Sequence, residues 1–390
     1  MKQSNKRRKF QRFDWMIFIP YLALNILGVI MVYSSSSYTL QFLGRSTWIS
    51  ALFQAVYLVL ALFILFFIYI TKPKFWRDSN LLNIAFAFTI ILLIAVLLVG
   101  PSINGAKGWF VIGPIQFQPM ELFKILIIIM IARVIARRQE MTFQVKCLTW
   151  FGIALGLLLI LMQPDTGGFL ICTLIIMAML ACSGNSPSLT VLGIGFFILL
   201  AILGLIIFPH LPFIPEYMRS RFLVAYNPFH YARGAGHQLI NSYYALYNGG
   251  WFGRGIGNSI EKRGFLPEAH TDFIFSVLVE ELGMIVGLLV IATLLFLVIR
   301  IFYIGIKSRN TFNSLICIGV GTMLFVQMFI NLGGLVGLIP LTGVTLPFIS
   351  QGGSSMLFFT VGIALVMNIS AYEYDNRISL RSKKQLKVVK

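Results

Sequence analysis

The sequence predicts an all-α polytopic membrane protein with ten transmembrane helices and one large extracellular loop between helices 7 and 8. Three observations carry this. Of 390 residues, 58% are hydrophobic and only 11% charged, far from the balance of a soluble domain. Ten apolar stretches approach the roughly 20 residues needed to cross a bilayer. The basic residues also cluster in alternate connections, as the positive-inside rule requires.

In chain order the stretches are 15–33, 48–70, 81–100, 120–136, 147–163, 167–182, 189–208, 273–299, 312–332 and 353–370. Residues 1–14 form a basic cytoplasmic amino terminus with six Lys/Arg. No small-residue cleavage site follows the first stretch, so it is read as an anchor and not as a removed signal. Residues 15–372 make up the membrane domain and 373–390 a basic cytoplasmic tail. With both termini cytoplasmic, 22 of the 31 Lys/Arg fall on the cytoplasmic side. The net charge of +18 is therefore a topology signal. It is dispersed over five segments with no nucleic-acid-binding module among them, and its partner is the membrane surface. Cys147, Cys172, Cys182 and Cys317 lie in apolar segments at spacings that suit neither a disulfide nor a metal site.

Chemistry is expected on the outer side. The loop 209–272 holds five prolines and many aromatics, a composition that predicts an ordered cap. Within it "EYMRSRFLVAY" (216–226) predicts a short helix bearing Arg219 and Arg221, and "HQLINSYYALYNGG" (237–250) a second that stops at glycine. "NGAKGWFVIGPIQFQPMELFK" (104–124) places Glu121 and Lys124 three apart on one helix face. "QPDTGG" (163–168) carries Asp165, and "PLTGVTLPFISQGGSS" (340–355) reads as a re-entrant segment. Its Ser354 and Ser355 open a helix whose positive end suits phosphate. "RGFLPEAHTDFIFSVLVEELG" (263–283) contributes Glu268, His270, Asp272, Glu280 and Glu281. Charged groups beside spans are costly and mark sites by default.

Each of these has a structural alternative. Asp272 precedes an apolar span and suits an N-cap. Glu121 and Lys124 can neutralise one another, Asp165 can be a turn or cap residue, and Glu280 and Glu281 can make interhelical hydrogen bonds. "GGWFGRGIGNS" lacks a Walker lysine, although its amides can form a nest for a diphosphate. Arg219, Arg221 and Arg233 can hold phosphate or anchor to head groups. Gly283 and Gly287 form a GxxxG packing face.

Together the four motifs, above all 234–283, resemble the SEDS family (shape, elongation, division and sporulation), and the division branch more than the elongation branch. The resemblance covers essentially the whole chain. It implies a peptidoglycan glycosyltransferase of the bacterial cytoplasmic membrane that polymerises lipid II at the division septum. Asp272 is implied as catalytic, with Glu121, Lys124 and Asp165 as supporting residues. The transfer would invert the sugar and release undecaprenyl pyrophosphate. The diphosphate leaving group points to a divalent cation, Mg or Mn, although no multi-carboxylate cage is visible in the sequence. Implied partners are a class B penicillin-binding protein transpeptidase and other divisome membrane proteins. Gly264 stands where some relatives carry a carboxylate. The rival readings are a lipid II flippase or transporter, which the absence of a half-to-half repeat disfavours, and a non-catalytic divisome scaffold.

Overall fold

The computed structural model describes residues 12–184 except 72, 79, 104 and 114, then Gly195, and residues 216–388 except 235. The predicted span 189–208 thus lies outside the described residues.

The elements are α1 (Trp15–Phe42), α2 (Ile49–Ile70), α3 (Pro73–Asp78), α4 (Leu81–Val99), β1 (Phe110–Ile112), β2 (Ile115–Phe117), α5 (Pro119–Ala136), α6 (Phe143–Met162), α7 (Thr166–Ala181), α8 (Glu216–Tyr226), α9 (His237–Gly249), α10 (Ile274–Lys307), α11 (Thr311–Leu335) and α12 (Gly353–Val388). Among the described residues seven helices are long and apolar enough to cross a membrane: α1, α2, α4, α6, α10, α11 and α12. The chain is a multi-pass membrane protein. α5 carries three charges, Glu121, Lys124 and Arg133, and α7 has only 16 residues.

The layering follows from composition. α5 and α11 are buried on nearly all sides and hold the polar groups Glu121, Lys124, Asn313, Gln327 and Asn331. α2, α4 and α6 turn Phe63, Phe67, Leu98 and Leu148 outward, as a lipid-facing ring does. α11 packs on α5, α7, α10 and α12, while α2 lies along α12.

Three boundaries differ from the sequence reading. α1 runs on to Phe42 because its serine run does not end the helix. Ser36 and Ser37 donate to the carbonyls of Val32 and Ser34, at 2.7 and 2.8 Å, and so satisfy themselves along the helix. α12 continues without a break past the predicted span end at 370. α10 is broken at Gly283, whose φ of +87° only glycine adopts readily.

The break corrects the GxxxG expectation. Chain 249–255 crosses α10 backbone to backbone there: Arg254 N and Gly255 N donate to the carbonyls of Glu280 and Glu281, 2.9 Å each, and Met284 N donates to that of Gly250 at 2.9 Å. A Cβ on Gly253 would fall 2.3 Å from the Glu281 carbonyl oxygen. Glycine here permits backbone crossing and not helix-on-helix contact.

At one end of the bundle Asp14, ahead of α1, accepts from Arg300 of α10 and Ser370 of α12, each at 2.8 Å, and Arg12 pairs with Asp375 at 3.3 Å. At the other end the antiparallel pair β1–β2, which the sequence reading did not foresee, leads into α5.

Candidate active site

Residues 268–273 form a non-helical approach to α10, with Glu268 at φ +57°. No side chain caps α10, which corrects the capping expectation for Asp272. The approach is held instead through its main chain. Asn331 Nδ2 donates to the carbonyls of Asp272 and Val344, 2.8 Å each. Ser350 Oγ donates to the Thr271 carbonyl at 2.7 Å while accepting from Leu346 N at 2.8 Å. Gln351 N donates to the His270 carbonyl at 2.9 Å. Helix α11 and the 340–352 segment thus grip three consecutive residues and leave the Asp272 side chain to the cavity beside it. Gly343, at φ +74°, lets the chain pass with its own Cβ position 3.6 Å from Asp272 Oδ2.

That cavity, about 410 Å³, opens at the β1–β2 end. Glu121, Lys124, Asp165, Arg221, Glu268, His270, Asp272, Ser354 and Ser355 all line it. Arg219 and Arg233 are exposed and stand outside the lining.

Electrostatics separate the acids. Burial pushes the Asp272 carboxyl up to about 7. The neighbouring Glu268 charge adds to the rise and Arg221 opposes it. Glu268 accepts from Thr271 Oγ1 at 2.8 Å. Burial lowers His270 below the ordinary imidazole value and so favours the neutral ring, against the pull of the Glu268 charge. Asp165 is raised by burial despite the Gly168 N–H and the Lys124 charge. It caps α7, with Oδ1 accepting from Gly168 N at 2.7 Å and Oδ2 from Gln118 Nε2 at 3.1 Å. A Cβ on Gly168 would approach Oδ2 to 2.9 Å, which explains the glycine two positions after Thr166.

Lys124 is fully buried. Its Nζ sits 2.9 Å from Glu121 and 2.8 Å from Gln327 Oε1, 5.3 Å above the Phe359 ring. Gln327 passes the contact to the Thr345 carbonyl at 3.3 Å. The pair ties α5 to α11 and to the segment that grips Asp272. Ser354 Oγ accepts from Gln118 N at 3.3 Å, and Ser355 Oγ donates to the Gly352 carbonyl at 3.0 Å.

Glu280 and Glu281 lie away from the cavity. Glu281 accepts from Ser34 of α1 and from Lys262 at 2.6 Å, the interhelical role expected of it. Glu280 is a correction. It binds Ser259 Oγ and Ile260 N, the latter at 2.9 Å, and so anchors a loop and not a helix. In "GGWFGRGIGNS" the amides of Arg254 and Gly255 donate to α10 carbonyls, so these two are not open to a diphosphate.

Sequence reasoning missed Gln351. Its Oε1 is buried, has no hydrogen-bond partner, and belongs to a residue of the cavity wall. An orphan acceptor in such a place calls for a donor. No three His, Cys, Asp or Glu among the described residues gather as a cation site. Among the described residues the donor set does not fit a protein-only Mg or Mn cage.

A carboxyl poised near neutrality in a polar cavity, with a buried ammonium and a helix N-terminus in the same wall, can take a proton from an incoming hydroxyl beside an anionic leaving group. The chain is 39% identical to a Lactococcus lactis subsp. lactis (strain IL1403) protein named "Probable peptidoglycan glycosyltransferase FtsW", over 94% of each chain. It is 38% identical to an Enterococcus hirae protein of the same name, over 97% of each. A solved structure described as "Structural coordination of polymerization and crosslinking by a peptidoglycan synthase complex" superposes with a TM-score of 0.71 at 28% identity, covering 92% of this chain and 97% of that one. The sequence profile described as cell cycle protein matches residues 14–375, and the chain therefore belongs to the family of FtsW, RodA and SpoVE.

Proposed function

We propose that this chain is a peptidoglycan glycosyltransferase that polymerises lipid II during cell division. Asp272, ionised, accepts the proton of the 4-hydroxyl of the acceptor N-acetylglucosamine. That oxygen forms a bond to the anomeric carbon of the donor N-acetylmuramic acid from the face opposite the diphosphate. The bond to undecaprenyl pyrophosphate breaks, and the sugar is inverted. The leaving group carries the charge, so no strong general acid is needed. Arg221 and the α12 N-terminus at Ser354 and Ser355 would hold its phosphates. The observation that carries the reading is the Asp272 carboxyl, raised to about 7 and gripped only by its backbone.

The same reading places both termini in the cytoplasm, with ten spans between them, 209–272 as an outer cap, and the cavity facing outward at the septum. The likeness to a chain from a peptidoglycan synthase complex supports a single-pass class B penicillin-binding protein as partner. The test is reconstitution of the purified protein with lipid II, with and without that partner, resolving products by length on a gel. Glycan strands that vanish with Asp272→Asn are expected. Lipid II crossing a vesicle bilayer without polymerising would instead favour the transporter reading.

A further inference from the structure

A second cavity, about 350 Å³, lies at the opposite end of the bundle, between the entry to α1, the last two turns of α10 and the distal part of α12. Ser355 lines the first cavity and Ser370 the second. The fifteen residue steps of α12 from one to the other span about 22 Å.

The second cavity is built around cations in excess. Its carboxylates are already engaged: Asp14 by Arg300 and Ser370, and Glu373 by Ser308 at 2.7 Å and Asn313 at 3.3 Å. Among the described residues Lys307 meets only Tyr303, by its hydroxyl and by its ring at 4.2 Å. Arg377 has no carboxylate partner among the described residues. Arg300 keeps its Nε buried with no acceptor, its guanidinium 5.5 Å from the same ring. One buried donor without an acceptor, Arg300 Nε, and two cations without a carboxylate, Lys307 and Arg377, thus border one phenol.

We propose that this cavity binds the phosphate of an anionic phospholipid. A phosphate supplies at once the acceptor oxygen that Arg300 Nε lacks and the negative charge that Lys307 and Arg377 lack. The flank selects the lipid over free phosphate. On the same α10, Ile299 and Ile306 are 65% and 80% exposed, and α10 is long and apolar enough to cross the bilayer. A phosphate in the cavity would leave its acyl chains lying along these residues.

The test uses the full chain in nanodiscs of phosphatidylcholine alone or mixed with phosphatidylglycerol. Retained lipid is read by native mass spectrometry and stability by thermal unfolding. Two uncompensated cations at a membrane surface predict a preference for phosphatidylglycerol of roughly 30-fold. The preference should be lost in Lys307→Gln/Arg377→Gln and kept in Lys307→Arg/Arg377→Lys. Equal retention of the two lipids by the unmodified protein overturns the proposal, and this arm needs no variant to fold. An undiminished preference in the Gln pair overturns it as well. Inorganic phosphate that stabilises the detergent-solubilised protein as much as phosphatidylglycerol does would assign the cavity to free phosphate and overturn the lipid.

Discussion

Asn331 donates its side-chain amide to the main-chain carbonyl of Asp272 at 2.8 Å and never touches the carboxylate. Position and charge of the proposed base are therefore controlled by different groups. Asn331→Leu should strand the carbonyls of Asp272 and Val344, at a stability cost of about 1–3 kcal/mol. It should lower kcat while leaving the pH at which activity rises unchanged. A pH–rate series on lipid II polymerisation checks both; a displaced profile would show that Asn331 acts on the charge.

Asp272→Asn should fold and make no glycan. Stability gives a second reading. The carboxyl titrates at about 7 in the folded chain against 3.8 ordinarily, so between about pH 4 and 7 the folded state binds more protons than the unfolded one. Stability contributed by this group therefore falls as pH rises through that window. The Asn variant is exempt, and its thermal midpoint should gain on that of the parent from pH 4 to 7 and then keep a constant lead. A lead that shrinks with rising pH would reverse the assigned shift.

Two neighbours pull Asp272 in opposite directions. Glu268 raises its titration point and Arg221 lowers it, and the parent should gain activity as pH rises through about 7. Glu268→Gln should move that limb to lower pH and Arg221→Gln to higher pH. Initial rates at subsaturating lipid II decide this, and movement of both limbs in one direction would exclude Asp272 as the titrating base.

Glu121 and Lys124 are shut away together, so removing one partner strands the other. Glu121→Gln or Lys124→Met alone should each cost roughly 3–5 kcal/mol, and the double variant less than their sum. Thermal unfolding of the four proteins closes the cycle; additive losses would mean that the two charges do not depend on one another.

Gln351→Leu keeps the volume and removes an acceptor that the protein leaves unpaired. Stability should hold or rise, while kcat/KM falls about tenfold, the worth of one hydrogen bond to substrate. Unchanged kinetics would make the orphan oxygen incidental.

The charged groups of the site are legible in the sequence because a charge in an apolar chain is conspicuous, and Asp165, Glu121, Lys124 and Asp272 stand out for that reason alone. The amides are not. Asn331, Gln327 and Gln351 look like ordinary polar residues, since an amide's partner depends on tertiary contacts with carbonyls far away in the chain. Arg219 and Arg221 are indistinguishable by type, yet two residues turn a helix by about 200°, and only Arg221 lines the cavity. The break in α10 is hidden in the sequence because Leu282 and Met284 flank Gly283 and a lone glycine ordinarily passes inside a helix. What separates it from Gly287 is the chain at 249–255 crossing over it.

Among the described residues the tertiary grip on 270–272 comes from positions 331, 350 and 351, all later in the chain. During synthesis, which runs from the amino terminus, Asp272 leaves the ribosome before any of these three residues exists. The proposed base is thus assembled only as translation nears its end. A chain released prematurely after α10 would contain the aspartate but none of its mooring, so an unfinished copy in the membrane would carry the acid without the activity.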